Sequence, residues 1–446
     1  MKIVFDARPE ASPLFKEKLL WMLILGLLFF LVYGSTNYIS SLTAPHLSFY
    51  WEWENSIPFV PELILPYMSS DIVFVVAFFT CTSRQEIQKL GLRYGFAIAF
   101  SAIIFLCFPL QFSFIRPSVE GWPTIMFDWL SLDQPYNQLP SLHISLGYLA
   151  WKSISARLKG LAYIALTAWF ILIALSTVMV FQHHFIDILG GVGVILLIYR
   201  VIPEGNRKSW IPLRFVTPRH LHMGFRYLVL TTIFVVLAFN AGKLGFLFGW
   251  IALTLFYVTG SYVLGVTNFL YKKRTGYPVL IKLLFWPYLL GCWLNWCFWK
   301  RRIPLMAEVQ QGIWVGAKPS VSDWPAIQEK GITTALDLVP ELSSDVPEGV
   351  DWNHFPLLDI AIPDPKTLDY LAEHIETALE KGGVYVHCAL GMSRSVLAVC
   401  AYLIKQGHSI EYALRKVDLC RPERVTRPYI PISLELYQEY LHSKLK

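Results

Sequence analysis

His387-Cys388 is followed by Gly391, Arg394 and Ser395, a set of residue types able to do chemistry on phosphate. Val384-Tyr385-Val386-His387 reads as a short buried strand, the next residues as a tight loop, and Val396 to Ile404 as the body of a helix. A loop of backbone amides at the positive end of a helix is an anion nest, and it favours the Cys388 thiolate over the thiol. Ala389, Leu390, Gly391, Met392 and Ser393 then offer their amides to the phosphoryl oxygens. Gly391 permits the tight curl. Arg394 can clasp two of those oxygens with a planar fork that Lys lacks. Ser395 can donate to the sulfur and ease its departure when water attacks a phosphocysteine. A general acid is also required, because the leaving oxygen must be protonated as its bond to phosphorus breaks. Asp359 and Asp364, on the stretch ahead of the preceding helix, both qualify, although Asp364 between two prolines can equally cap the helix starting near Lys366.

This pattern resembles the protein tyrosine phosphatase superfamily, and within it the dual-specificity branch, whose phosphate loop has the same order of Cys, five residues, Arg, Ser. The resemblance covers about 140 residues. It includes the entry Gly312-Ile313-Trp314-Val315-Gly316-Ala317-Lys318-Pro319-Ser320, the strand start Gly331-Ile332-Thr333, and Arg421-Pro422. It implies an α/β domain with a central sheet flanked by helices, a phosphocysteine intermediate, and no metal or other cofactor. The separation from Cys388 expected in that branch favours Asp359 over Asp364. Ala389, Leu390 and Met392 carry no positive charge, which points to a singly phosphorylated substrate, either a phosphoprotein or a phospholipid monoester.

A second constellation lies in the apolar part of the chain: Ile115-Arg116-Pro117, Pro140-Ser141-Leu142-His143, and Gln182-His183-His184-Phe185-Ile186-Asp187. Polar residues at the ends of membrane spans usually mark function. An imidazole oriented by an Asp four residues later is suited to attacking phosphorus, with a second His as acid and Arg116 holding phosphate. The set resembles the type 2 phosphatidic acid phosphatase family and its inositol phosphorylceramide synthase-like branch. That resemblance makes His183 the nucleophile, Asp187 its orienter and His143 the acid, with Arg116 and Ser141 at the phosphate. Ser176, His183 and Asp187 match the family spacing. The family's Lys and Arg are replaced by Pro109 and Thr177, and His184 receives no role.

The elements that must position these residues follow from composition. Of 446 residues 55% are hydrophobic and 16% charged, which fits a membrane protein, and the apolar excess ends near Trp299. Runs near 19–39, 63–82, 94–114, 141–157, 161–181, 185–202, 226–242 and 244–269 predict about eight spans. Lys16 and Lys18, then Arg84, Lys89 and Arg93, then Lys152, Arg157 and Lys159, then Arg200, Arg207, Lys208 and Arg214, then Lys272, Lys273 and Arg274 fall on alternate loops, which places those loops in the cytoplasm. The Trp-rich run 283–299, broken at Trp286-Pro287 and basic on both sides, reads as a helix or shallow hairpin lying in the cytoplasmic interface. The domain plan is therefore a first span and outer loop (1–60), a lipid phosphatase-like bundle (60–205), two further spans with the interfacial segment (206–302), and a cytoplasmic α/β domain (303–446).

The net charge of +6 sits in short inter-span clusters, so no nucleic-acid partner is expected. Seven cysteines show neither metal spacing nor a disulfide framework, and free thiols suit a reducing compartment. The partners expected are the bilayer and a phospholipid or phosphoprotein substrate, with oligomeric state open. Two other classes remain: a scaffold in which the bundle is an inactive lipid-binding anchor, and a transporter, to which only Asp71 points.

Overall fold

The computed structural model describes residues 11–43, 45–131, 133–204 and 214–444, and the chain forms two compact units, Met1–Leu213 and Arg214–Lys446. Arg207 and Lys208, part of one predicted cytoplasmic cluster, lie outside the described residues. The first unit contains α1 (Ala11–Ser41), α2 (Ile64–Thr80), α3 (Arg84–Cys107), α4 (Pro123–Leu130), α5 (Leu142–Ser155), α6 (Gly160–Met179) and α7 (Phe185–Val201). The second opens with α8 (Pro218–Asn240), α9 (Gly245–Val263), α10 (Val279–Leu284) and α11 (Trp286–Lys300). It continues with β1 (Met306–Gln310), β2 (Ile313–Ala317), α12 (Trp324–Gln328), β3 (Ile332–Asp337), β4 (Asp351–His354), α13 (Pro365–Leu379), β5 (Gly383–Cys388), α14 (Arg394–Lys405), α15 (Ile410–Cys420) and α16 (Tyr429–Lys444).

Among the described residues six helical segments are long and apolar enough to cross a membrane, where the sequence predicted about eight: Leu14–Ser41, Pro61–Thr80, Arg84–Cys107, Gly160–Met179, Pro218–Asn240 and Gly242–Val263. The two that drop out are α5 and α7, with 14 and 17 residues. Both begin where their apolar runs do, after the extended residues Ser141 and His184, and are simply short. Helix α3 starts ten residues before its apolar run, at the Ser83 side chain that accepts from the Glu86 amide, and stops at Cys107 ahead of Pro109.

In the second unit the five strands form a mixed sheet of order β1-β2-β5-β3-β4, with only the β1–β2 pair antiparallel. Strand β5 is central and buried along its whole length, and its run Val384-Tyr385-Val386 is apolar on both faces. Val384 and Val386 pack into the core built by α13, α14 and α16, and Tyr385 points to the opposite face with Trp324 and Ile327 of α12. The crossover from β5 runs directly into α14, so a residue at the carboxyl end of β5 meets the first turn of α14 where ligands bind in open α/β sheets.

The run 283–299 is two short helices, α10 and α11, divided at Phe285 ahead of Trp286-Pro287. Helix α11 docks on the sheet domain: Trp296 is buried in its core and donates to the Lys318 carbonyl at 3.1 Å, while Lys300 reaches Asp323 at 2.7 Å. The linker after α9 is equally tied in. Lys272 Nζ, buried, lies 2.7 Å from Asp337 Oδ2 at the end of β3 and 2.7 Å from the Val339 carbonyl. Helices α8 to α11 therefore belong to the compact unit that holds the sheet.

Candidate active site

Cys388 closes β5 and is 3% exposed. Every carbonyl of the next five residues has a donor on the outside of the loop. Ala389 O accepts from the Lys318 amide at 3.2 Å, Leu390 O and Gly391 O from Nη2 and Nε of Arg421 at 2.9 Å each, Met392 O from the Val425 amide at 2.9 Å, and Ser393 O from the Leu397 amide at 2.9 Å. With its carbonyls tied outward, the loop has its amides left for the inside. The Gly391 amide lies 3.2 Å from Cys388 Sγ, and the Ser395 hydroxyl 3.3 Å from it. Gly391 has φ +69°, and any Cβ there would run into the Gly316–Ala317 backbone and Arg421, so the curl requires glycine.

Burial alone would push the Cys388 thiol up. The Arg394 guanidinium, the Ser395 hydroxyl and the amides of Ser395 and Ser393 outweigh it and hold the thiol below its ordinary range. The preceding His387, on the opposite face of β5 with Tyr385, is driven down to about 4 by burial against the opposing pull of Asp337.

Arg394, the first residue of α14, is buried, and its fork is already held. Nη1 and Nη2 meet the Glu341 carboxylate at 3.0 and 2.5 Å, and Nη1 also reaches the Leu357 carbonyl at 3.1 Å. Nε makes no hydrogen bond, though Asp359 Oδ1 stands 3.2 Å away. The sequence expectation of a free fork clasping two phosphoryl oxygens needs this adjustment: Glu341 takes one edge of the guanidinium and fixes its plane. Of the two candidate acids, Asp359 stands half-exposed at the cavity, whereas Asp364 caps α13 by accepting from the Lys366 amide at 3.0 Å.

The Asp359 loop is fastened from outside the α/β domain. Tyr262 of α9 donates to the Asp359 carbonyl at 2.9 Å, and Arg219 of α8 donates to the Ile360 carbonyl at 3.0 Å. Ile360 has φ +54°, which is strained for a β-branched residue and persists only where neighbours over-determine it. Sequence reasoning missed Glu341, Tyr262 and Arg219 altogether and gave Arg421 no task. The resemblance included Arg421-Pro422, but the task of Arg421 follows from its full burial against the loop, which is invisible in the sequence.

In the first unit the structure brings His143 and His183 together, with ring centroids 5.8 Å apart, and places His183 Nδ1 3.3 Å from Asp187 Oδ2. Asp187 Oδ2 also accepts from the His184 amide at 2.9 Å, which is a helix-capping bond for α7. Ser141 is buried, with its amide on the Asp187 carbonyl at 3.0 Å. Arg116 Nε donates to the Phe181 carbonyl at 3.2 Å, two residues from His183. The Ser176 hydroxyl is spent on Ile173 O in its own helix. His184 is packed between Phe112 and Tyr50 and faces Glu54, a structural setting. Among the described residues no group of three His, Cys, Asp or Glu is placed to hold a metal ion.

Residues 313–436 match the model of the dual specificity phosphatase catalytic domain. The chain is 30% identical over 121 residues to dual specificity protein phosphatase 1B of Arabidopsis thaliana, covering 27% of this chain and 71% of that protein. It is 34% identical over 140 residues to human dual specificity protein phosphatase 12, of which it spans 41%. Among solved structures, human DUSP28 is 24% identical and covers 31% of this chain and 96% of its own, with a TM-score of 0.28. A mouse dual specificity phosphatase complexed with zinc tungstate is 25% identical and covers 32% and 91%, with a TM-score of 0.29.

The depressed Cys388 thiol has a direct consequence. The rate of its alkylation by iodoacetamide, followed site by site by mass spectrometry, keeps its plateau to lower pH than that of free cysteine. Ser395→Ala and Arg394→Met each move the midpoint up, because each removes a group that favours the anion. A wild-type midpoint at or above that of free cysteine contradicts the assignment.

Proposed function

Since the chain belongs to the dual-specificity phosphatase family through its carboxy-terminal domain, and is a phosphoric monoester hydrolase, we propose that Cys388 is its nucleophile and that it works as a multi-pass membrane enzyme with this domain on the cytoplasmic side. One observation carries the reading: a sulfur 3.2 Å from the Gly391 amide inside a loop whose five carbonyls are all turned away. The phosphoryl oxygens take the places facing the amides of 389–394 and the Arg394 Nε edge, displacing the Asp359 contact. The Cys388 thiolate attacks phosphorus, an S–P bond forms, the P–O bond to the leaving group breaks, and Asp359 gives that oxygen its proton. Water then attacks the phosphocysteine, its proton passes to Asp359, and the thiolate leaves with a hydrogen bond from Ser395, releasing orthophosphate.

The membrane setting rests on the six long apolar helices and on the basic clusters, which alternate from loop to loop when the shorter apolar helices α5 and α7 cross as well. A second phosphate-handling site on the first unit is part of the proposal, supported by the His183–Asp187 and His143–His183 geometry. There His183 attacks phosphorus and His143 protonates the leaving oxygen.

Cys388→Ser abolishes turnover of p-nitrophenyl phosphate by the full-length protein. Asp359→Asn lowers kcat ~10²–10⁴-fold for alkyl phosphates, whose leaving oxygen needs a proton, and much less for p-nitrophenyl phosphate. The same selective loss in Asp364→Asn with Asp359→Asn unaffected would reverse the assignment of the acid.

For the first unit, a Cys388→Ser protein retains turnover of phosphatidic acid that His183→Ala removes. Residual lipid turnover that is indifferent to His183, with lipid still bound, makes the bundle an inactive anchor instead.

A further inference from the structure

The cavity over Cys388 has a volume of about 580 Å³, and the catalytic domain supplies only part of its wall. The rest comes from α8, α9 and α11, among them Tyr227 of α8, Leu255 of α9, and Tyr288 and Trp299 of α11. Among the described residues, α8 and α9 are also the two segments of this unit that are long and apolar enough to cross a bilayer. They pack as a hairpin, and its base is the cavity: α8 begins beside Arg219, on the Ile360 carbonyl, and α9 ends beside Tyr262, on the Asp359 carbonyl. Leu255 lies eight residues before the end of α9, about 12 Å along its axis at 1.5 Å per residue. The cavity thus runs from the sulfur into the zone where the hairpin is apolar. Farther along, Ile233, Val236, Phe246 and Leu253 are exposed, as lipid-facing residues would be.

The level of the mouth is marked by α11. Trp286, Trp293, Phe298 and Trp299 are exposed on it, beside Arg301 and Arg302, which is the aromatic and cationic make-up of a bilayer interface. A phosphopeptide strand laid against Leu255, Tyr227 and Tyr288 would leave backbone groups without partners, whereas a hydrocarbon chain loses nothing there. The phosphate end is small in charge: Arg394, with Arg427 exposed at the rim, are the only cations of the lining. One phosphate dianion suits it.

We propose that the substrate of the Cys388 site is the phosphate monoester of a membrane lipid, drawn from the bilayer along α9 and α11 with its hydrocarbon part against Leu255 and Tyr288. This rests on the reading of Cys388 as the nucleophile. Leu255 is then a specificity-determining residue.

The test uses the full-length protein in a His183→Ala background, with the activity of the Cys388→Ser partner subtracted. Three probes are compared: dioleoyl phosphatidic acid in mixed micelles, glycerol 3-phosphate, and a phosphotyrosyl peptide. The expected Cys388-dependent kcat/KM for the lipid exceeds that for either soluble probe ~100-fold or more, the weight of a few buried methylenes. Leu255→Trp, which fills the apolar end, lowers the ratio of lipid to glycerol 3-phosphate about tenfold, and the milder Leu255→Phe moves it the same way. Faster turnover of the phosphopeptide, or a ratio that neither variant moves, overturns the lipid substrate while leaving the nucleophile in place. Absence of Cys388-dependent turnover of all three probes overturns the nucleophile, and the lipid substrate with it.

Discussion

Five outward hydrogen bonds to the carbonyls of residues 389–393 are the constraint on which the carboxy-terminal site depends. A peptide unit cannot point its amide inward unless its carbonyl is satisfied elsewhere, and a buried carbonyl without a donor costs about 1–3 kcal/mol. Two of the five donors come from one side chain, Arg421, which is completely buried. Its guanidinium is matched to carbonyls and not to a carboxylate, so its positive charge adds to the field around the sulfur. Gly391 is the price of bringing this loop against β2, since a side chain there would collide with the Gly316–Ala317 backbone and Arg421.

The same logic extends outward. Arg394 faces the site with a plane set by Glu341, so little reorganisation is left when a phosphate arrives. The acid loop is pinned by Tyr262 and Arg219, two residues of the helices that precede the α/β domain. Beneath the sheet's carboxyl end, the buried Lys272–Asp337 pair joins the linker after α9 to β3. Burial alone would raise the Asp337 carboxyl. The Lys272 ammonium, 2.7 Å away, overcomes that and holds it well below the usual carboxylate range. Such a pair adds little net stability over apolar replacements, but loss of either partner strands a buried charge. Its use is registration: it fixes where the hairpin meets the domain.

How much of this could be read in the sequence depended on range. Cys388 through Ser395 form one local turn, so their spacing alone described a nucleophile, a fork and a hydroxyl, and the buried run Val384 to Val386 announced the central strand. His183 and Asp187 were likewise visible because they stand only four residues apart, although His183 lies ahead of the α7 cap and not on the helix. Glu341, Arg421, Tyr262 and Arg219 make their contacts across 30 to 141 residues of chain, and no periodicity encodes such contacts. The apolar runs named two spans more than the helices of full crossing length, because Leu142–Ser155 and Phe185–Val201 fill their runs but are only 14 and 17 residues long. Composition also divided the chain near residue 303, where the charge content changes, while packing divides it near 214, because α8 to α11 are apolar and yet docked on the charged domain.

The tie between the outward carbonyls and the chemistry is tested most directly at Arg421. In the full-length protein, the pH profile of Cys388 alkylation and its protection by orthophosphate are measured with Arg421 intact and with Arg421→Met. If the carbonyls must be held outward for the amides to bind an anion, the variant shows a midpoint shifted to higher pH and protection lost. An unchanged midpoint with protection intact would show that the loop keeps its amides inward without Arg421, and the account built on that restraint would fail.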